Sequence, residues 1–351
     1  MDDTVLDEAY ARLHATGPEW GENRLTNHGP MAAEVLVRRG HADQVPGWLD
    51  AYTARLDELP APHDRITDAT WRDALGDGRR IGDWTRYLVE QTRERPWRDV
   101  LLTWWPRLLP GIVAGATHGV IRTGHAVRTL LGGDESPAAV TELAHALAFW
   151  AARSLAVPGA PAPSGALAAD AALDAMPRVP DQSGPIAHRF GQFPGTPGWS
   201  AAMAALRRPA GPDDARDLLT GLVDAATVRY LGFGHASPVL LVHSATAPNA
   251  VLRTLPALPR ELWAPSLSAV WAASAAIVSA FAPAATPPSA GLPTVTPGAQ
   301  PEENILDAAT EHGDEHVIKF ADTAADVYAR TGAPEALAAA RHVADLIDRR
   351  T

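Results

Sequence analysis

The chain has 351 residues, is 46% hydrophobic and carries a formal net charge of −11. That length allows about one to three domains with a substantial core, and the acidic balance excludes the basic stripe that nucleic-acid binding needs. There is no cysteine, which excludes disulfides, zinc–thiolate sites and thiol nucleophiles, so any metal must be held by nitrogen and oxygen.

Helical periodicity dominates the chain. The pattern predicts helices over Leu6 to His14, then Pro30 to Arg39 with Asn27 as its cap, then Pro46 to Glu58. Ile81 to Gln91, Trp97 to Leu109, and a long apolar helix from Gly111 to Leu131 follow, and then Pro137 to Ala156. Further on come Asp213 to Leu231 and Pro238 to Leu255, either side of the Gly232-Phe233-Gly234 break. Arg260 to Phe281 reads as a buried helix, and Asp314 to Arg330 and Pro334 to Arg349 close the series. No alternating strand and no βαβ repeat stands out. The expected class is all-α: a single domain over 1–351 with a metal site in its helical core. The Pro-, Gly- and Ala-rich stretches 158–197 and 282–301 are expected to be long excursions, and the first of them could instead divide two domains. The start Met1-Asp2-Asp3-Thr4 has no apolar signal core, and no uninterrupted apolar run reaches about 18 residues. A cytoplasmic protein without a membrane span is the expectation.

Of the 30 Lys and Arg residues, Lys319 alone is lysine. A solvated cation can be either residue, but only an amine can lose its proton near neutrality. A neutral amine can act as a base, form a Schiff base, or take up carbon dioxide as a carbamate. A compositional bias toward arginine, as in a GC-rich genome, can also leave one lysine by chance. Lys319 follows His316 at i+3, which puts both on one helical face about 60° apart. That spacing resembles the Glu-x-x-His pairs of metal-holding bundles, with lysine in the carboxylate's place. His312 precedes His316 by four residues and offers a second possible partner, although Gly313-Asp314 between them reads as a helix start.

Several of the 13 histidines lie in apolar helical settings. His118, Arg122 and His125 share one face of the long apolar helix. Gly115, Gly119 and Gly124 thin that helix, and each glycine costs roughly 1 kcal/mol in a helix interior, so a close approach by another group is expected there. His243 ends the apolar run from Pro238, and His28 stands at a helix entrance. Any one of these could equally be an ordinary hydrogen-bonded core histidine. Other chemistries lack their signatures. No Gly-x-Gly-x-x-Gly follows a strand, and no Gly-x-Ser-x-Gly elbow is present. Glu142-Leu143-Ala144-His145 has di-iron spacing but occurs once, and Glu315 adjoins His316 directly.

The blocks Asn27-His28-Gly29-Pro30, Thr117-His118-Gly119-Val120-Ile121-Arg122, His243-Ser244-Ala245-Thr246 and His316-Val317-Ile318-Lys319 together resemble the questin oxidase family, over roughly residues 10 to 335. The resemblance implies an oxygenase that uses O2 to cleave or oxidise an aromatic, anthraquinone-like polyketide. It further implies a single non-haem Fe(II), or another first-row metal, held by His28, His118, His243, His316 and a carbon-dioxide-derived carbamate on Lys319. Arg122 stands where fungal members carry a further histidine, and His125 where an aromatic is common. Both are candidates to hold a substrate oxyanion or move protons. Trp104, Trp105 and Trp150 could line a substrate cavity or simply fill the core. Two rivals remain: a metal-free small-molecule carrier of a biosynthetic cluster, and an NADPH-dependent Baeyer–Villiger-type monooxygenase.

Overall fold

The computed structural model describes residues 3–285, 292–295, 298 and 300–349. Helix dominates, in keeping with the expected all-α class. In chain order the elements are α1 Asp3–His14, β1 Glu19–Trp20, β2 Leu25–Thr26, α2 Gly29–Arg38, α3 Val45–Thr53, α4 Trp71–Ala74, α5 Ile81–Glu94, α6 Trp97–Leu108, α7 His118–Leu131 and α8 Pro137–Ala152. Then come α9 Ala169–Asp174, α10 Ile186–Gly191, α11 Trp199–Ala204, α12 Pro212–Phe233, α13 Pro238–Leu241, α14 His243–Thr254, α15 Trp263–Phe281, α16 Pro301–His312, α17 Glu315–Thr331 and α18 Pro334–Leu346. The strands are one two-residue antiparallel pair, Glu19 opposite Thr26 and Trp20 opposite Leu25. That is too short for any alternation to be read in the sequence.

The chain falls into two compact units: Met1–Ala156 with Arg253–Pro259, and Val157–Leu252 with Arg260–Thr351. The division after Ala156 falls at the mouth of the Pro-rich stretch 158–197. That stretch is not structureless, since α9 and α10 form within it. The second stretch, 282–301, lies partly outside the described residues.

In the first unit, α7 packs on α8 and α2, α5 on α8, and α1 on α2 and α8. Its core is aromatic. Trp104 meets Trp71, Trp84 and Tyr87 edge-on, with centroids 5.3, 5.4 and 5.8 Å away. Trp105 crosses Trp150 at 5.3 Å, and Trp150 Nε1 donates to Gly111 O at 3.1 Å. All three candidate cavity tryptophans are therefore core-packing residues. Burying an aromatic of this size removes about 150–250 Å² from water, on the order of 4–6 kcal/mol each at about 25 cal/mol per Å².

In the second unit, α12 packs on α15, α18, α9 and α17, while α16, α17 and α18 pack together. Trp271 Nε1 donates to Met203 O at 2.8 Å, and Tyr230 lies 4.6 Å from Phe320. The segment Arg260–Phe281 has the length and apolarity of a membrane span, yet 72% of its most apolar 18-residue window is buried inside the fold, as expected of a core helix.

Several element ends differ from the sequence expectation, and each has a local cause. Gly115, Ala116 and Thr117 hold φ of +53°, +56° and +74°, so the long helix starts at His118 rather than Gly111. Gly115 therefore belongs to the entering turn. Gly119 does meet the expected close neighbour: a Cβ there would lie 2.8 Å from Trp150 Cα. His28 holds the N-cap position of α2 but makes no side-chain cap bond. Asn27 instead accepts the Gly29 N–H on its side-chain oxygen at 2.9 Å. The expected helix from Pro238 breaks at Val242 into α13 and α14, so His243 opens a helix. The helix expected to run to Glu58 ends at Thr53.

Candidate functional site

In the first unit, His28 and His118 are brought together. Their rings sit edge to face with centroids 4.4 Å apart, and both residues are buried. His28 stands at the head of α2, its backbone N–H donating to Tyr52 Oη at 2.6 Å. His118 opens α7, and its Nδ1 donates to the carbonyl of Gly115 in the left-handed turn just before it. A ring nitrogen committed as donor leaves the other, Nε2, as the lone pair, which is how protein carbonyls commonly orient metal-binding imidazoles.

In the second unit, His243 and His316 are brought together, centroids 5.9 Å apart, both buried. Asp314 caps α17, accepting His316 N at 2.8 Å. The same carboxylate oxygen lies 3.3 Å from His316 Nδ1, which therefore donates and leaves the lone pair on Nε2. His316 and the desolvating surroundings act oppositely on Asp314: burial pushes its carboxyl up, while the His316 ring and backbone N–H groups pull it down further, for a net lowering.

Lys319 lies one turn along α17 from His316. It is 1% exposed, and its Nζ has no hydrogen-bond partner among the described residues. An isolated buried ammonium is costly. Burial accordingly pushes the amine down from 10.5 to about 7, against the opposing pull of the Glu315 and Asp314 carboxylates.

Asp314, Glu315 and His316 present ligand-type atoms within 4.8 Å of one another, all buried. Sequence reading set Glu315 aside because it adjoins His316 and lacks helical spacing. The signal it missed is that at a helix start the backbone turns, and neighbouring side chains can converge. His312 and His316 do not share a helix, in keeping with the helix start read at Gly313-Asp314. Gly313, at φ +81°, separates α16 from α17, and His312 Nε2 bonds the Ile347 carbonyl at 2.9 Å.

Arg122 and His125 each face a carboxylate. Arg122 donates to both Glu142 oxygens at 2.5 and 2.8 Å. His14 Nε2 lies 3.0 Å from the same Glu142. His125 Nδ1 sits 2.8 Å from Glu34, which also takes Arg128 Nε at 2.7 Å. Burial alone would raise both carboxyls, but the facing cations and imidazoles hold Glu34 and Glu142 down at about 2. Burial, aided by nearby Arg128, lowers His125 despite the Glu34 bond. His145, 4.4 Å from the His14 ring, is pushed well below its ordinary value by burial, His14 and Arg122. This buried charge network was invisible as such in the sequence, which gave Glu142 and His145 only as a lone Glu-x-x-His.

A cavity of about 550 Å³ in the second unit is lined by Ile305, Ala309, His312, Val317, Leu337 and Arg341, among others. It has the size of a small-molecule site, but among the described residues no Trp, Tyr or Phe lines it. Val317 and Lys319 are two positions apart on α17, about 200° around its axis, so the cavity lies across that helix from the amine.

Each unit thus holds a pair of buried imidazoles, nitrogen donors of the kind that first-row metals take. No family model matches the chain, and no curated protein matches it.

Proposed function

We propose that the chain is a mononuclear non-haem iron oxygenase of the questin oxidase kind, acting with O2 on an anthraquinone-like aromatic polyketide in the cytoplasm. Its ligands are His28, His118, His243, His316 and Lys319 carrying a carbamate. The observation that carries the reading is Lys319: the chain's one lysine, buried, without a hydrogen-bond partner among the described residues, a single turn from a buried imidazole. A group placed so has no structural return to offset its burial. As a neutral amine it adds carbon dioxide, and the resulting carbamate oxygen supplies the ligand that four imidazoles lack.

Bound iron would supply O2 activation at a ring carbon. The protein's own part is positioning. Gly115 O and Asp314 fix the His118 and His316 rings with Nε2 forward. Glu142 and Glu34 hold Arg122 and His125 in place on α7. A substrate oxyanion would have to displace one of those carboxylates to reach either residue directly. We therefore assign Arg122 and His125 the fixing of α7 through their carboxylate partners. The rival of a metal-free carrier draws on the 550 Å³ cavity and on the Glu315 and Asp314 charges near Lys319.

The test is elemental analysis of protein purified with ferrous iron supplied, paired with oxygen uptake on a hydroxyanthraquinone. About one iron per chain, lost in Lys319→Arg together with oxygen uptake, supports the reading. Protein without a stoichiometric transition metal overturns it in favour of the carrier.

A further inference from the structure

Thr117 breaks two rules at once. It is a β-branched residue at φ +74°, following Ala116 at +56°, where side chains are strained and glycine is not. Its hydroxyl is fully buried and has no hydrogen-bond partner among the described residues. Either feature alone costs stability. Glycine at this position would relieve both, which singles out the side chain itself for a use. The turn 115–117 ends directly at His118, and its Gly115 carbonyl fixes the His118 ring.

We propose that Thr117 is a ligand-contacting residue whose hydroxyl hydrogen-bonds an oxygen atom, a water or a substrate oxygen, bound at the ion beside His118. This rests on the metal reading above. An oxygen ligand on that ion would give the hydroxyl the partner it lacks among the described residues. The strained turn holds Oγ1 in place before that ligand binds.

The experiment compares metal-free and metal-loaded thermal unfolding, with Co(II) titration followed by visible absorption, for wild type and for Thr117→Val, Thr117→Ser and Thr117→Gly. Thr117→Val keeps the shape and loses the hydroxyl. It is expected to unfold at the wild-type temperature or above when metal-free, to bind Co(II) roughly tenfold more weakly, and to alter the absorption band. Thr117→Ser restores wild-type binding. Thr117→Gly is more stable metal-free yet shares the weakened binding, and it decides the matter should the valine variant not fold. Co(II) affinity and spectrum unchanged in Thr117→Val and Thr117→Gly overturn this inference alone. So does a metal-free destabilisation of Thr117→Val that metal leaves unchanged, since the hydroxyl would then be structural. A serine variant as weak as the valine one also overturns it. A wild type that binds neither Co(II) nor Fe(II) overturns the metal reading itself, and this inference with it.

Discussion

At the scale of single residues, Lys319 has the clearest linkage to pH. Its amine titrates at about 7 in the fold against 10.5 when exposed. The unfolded chain therefore binds the extra proton between those values, and folding gains stability as pH rises across that window. Below about 7 the full cost of a buried ammonium is present, and above 10.5 it is absent. Lys319→Met should stabilise the protein by about 2–5 kcal/mol at pH 7 in metal-free, bicarbonate-free buffer. The gain should fade toward pH 10, as urea midpoints at each pH will show. A gain independent of pH would mean the amine is not desolvated. The importance of this lysine was legible in composition, because one residue type had been displaced everywhere else. The Asp314 carboxylate was legible only as a helix start. That it also holds the His316 ring follows from a turn geometry that spacing rules do not encode. That His312 lies outside α17 was legible in Gly313-Asp314: i, i+4 spacing means adjacency only where no left-handed glycine intervenes.

At the scale of elements, α7 joins the proposed ligand His118 to a column of buried charge. Breaking a buried ion pair leaves one charge uncompensated, at a cost of about 3–5 kcal/mol. Glu142→Gln should cost that much, whereas Arg122→Met/Glu142→Leu together should lie within about 1 kcal/mol of the parent, read from denaturant midpoints. Glu142 is held at about 2 against an ordinary 4.5. Its depressed value contributes stability that is whole above pH 4.5 and lost as pH falls toward 2. The double variant should lack that share of the acid sensitivity. Helix packing gives a second handle. A methyl at Gly119 meets the backbone of Trp150 at 2.8 Å, so Gly119→Ala should destabilise by about 1–3 kcal/mol through displacement of α7 from α8. The existence of α7 was plain from its apolar run. Its true start was not, because the run continues unbroken through Ala116 and Thr117, and their left-handed conformation is imposed by packing rather than by propensity.

At the scale of the whole molecule, the helical class followed directly from periodicity, and the division at Ala156 falls where composition changes. The histidine blocks were recognisable as a set, whereas the partners that orient them were not, since a backbone carbonyl or a capping carboxylate has no pattern of its own. In the proposed function His28, His118, His243 and His316 share one ion. Removing His243 should therefore cost metal-dependent protection of α7. Hydrogen exchange of α7 amides should slow on adding Fe(II) to the wild type and stay unchanged in His243→Ala. Slowing in both would show that His28 and His118 bind metal without His243.

A chain with a single, secluded lysine also carries its own chemical reporter. An amine-selective acylating reagent has just one side chain to find, so mass spectrometry reads that position without ambiguity. Native protein should resist the label there, and denatured protein should accept it. Trapping the nitrogen as a stable ester of its carbon dioxide adduct would reveal in one spectrum what fraction of molecules carries the modification.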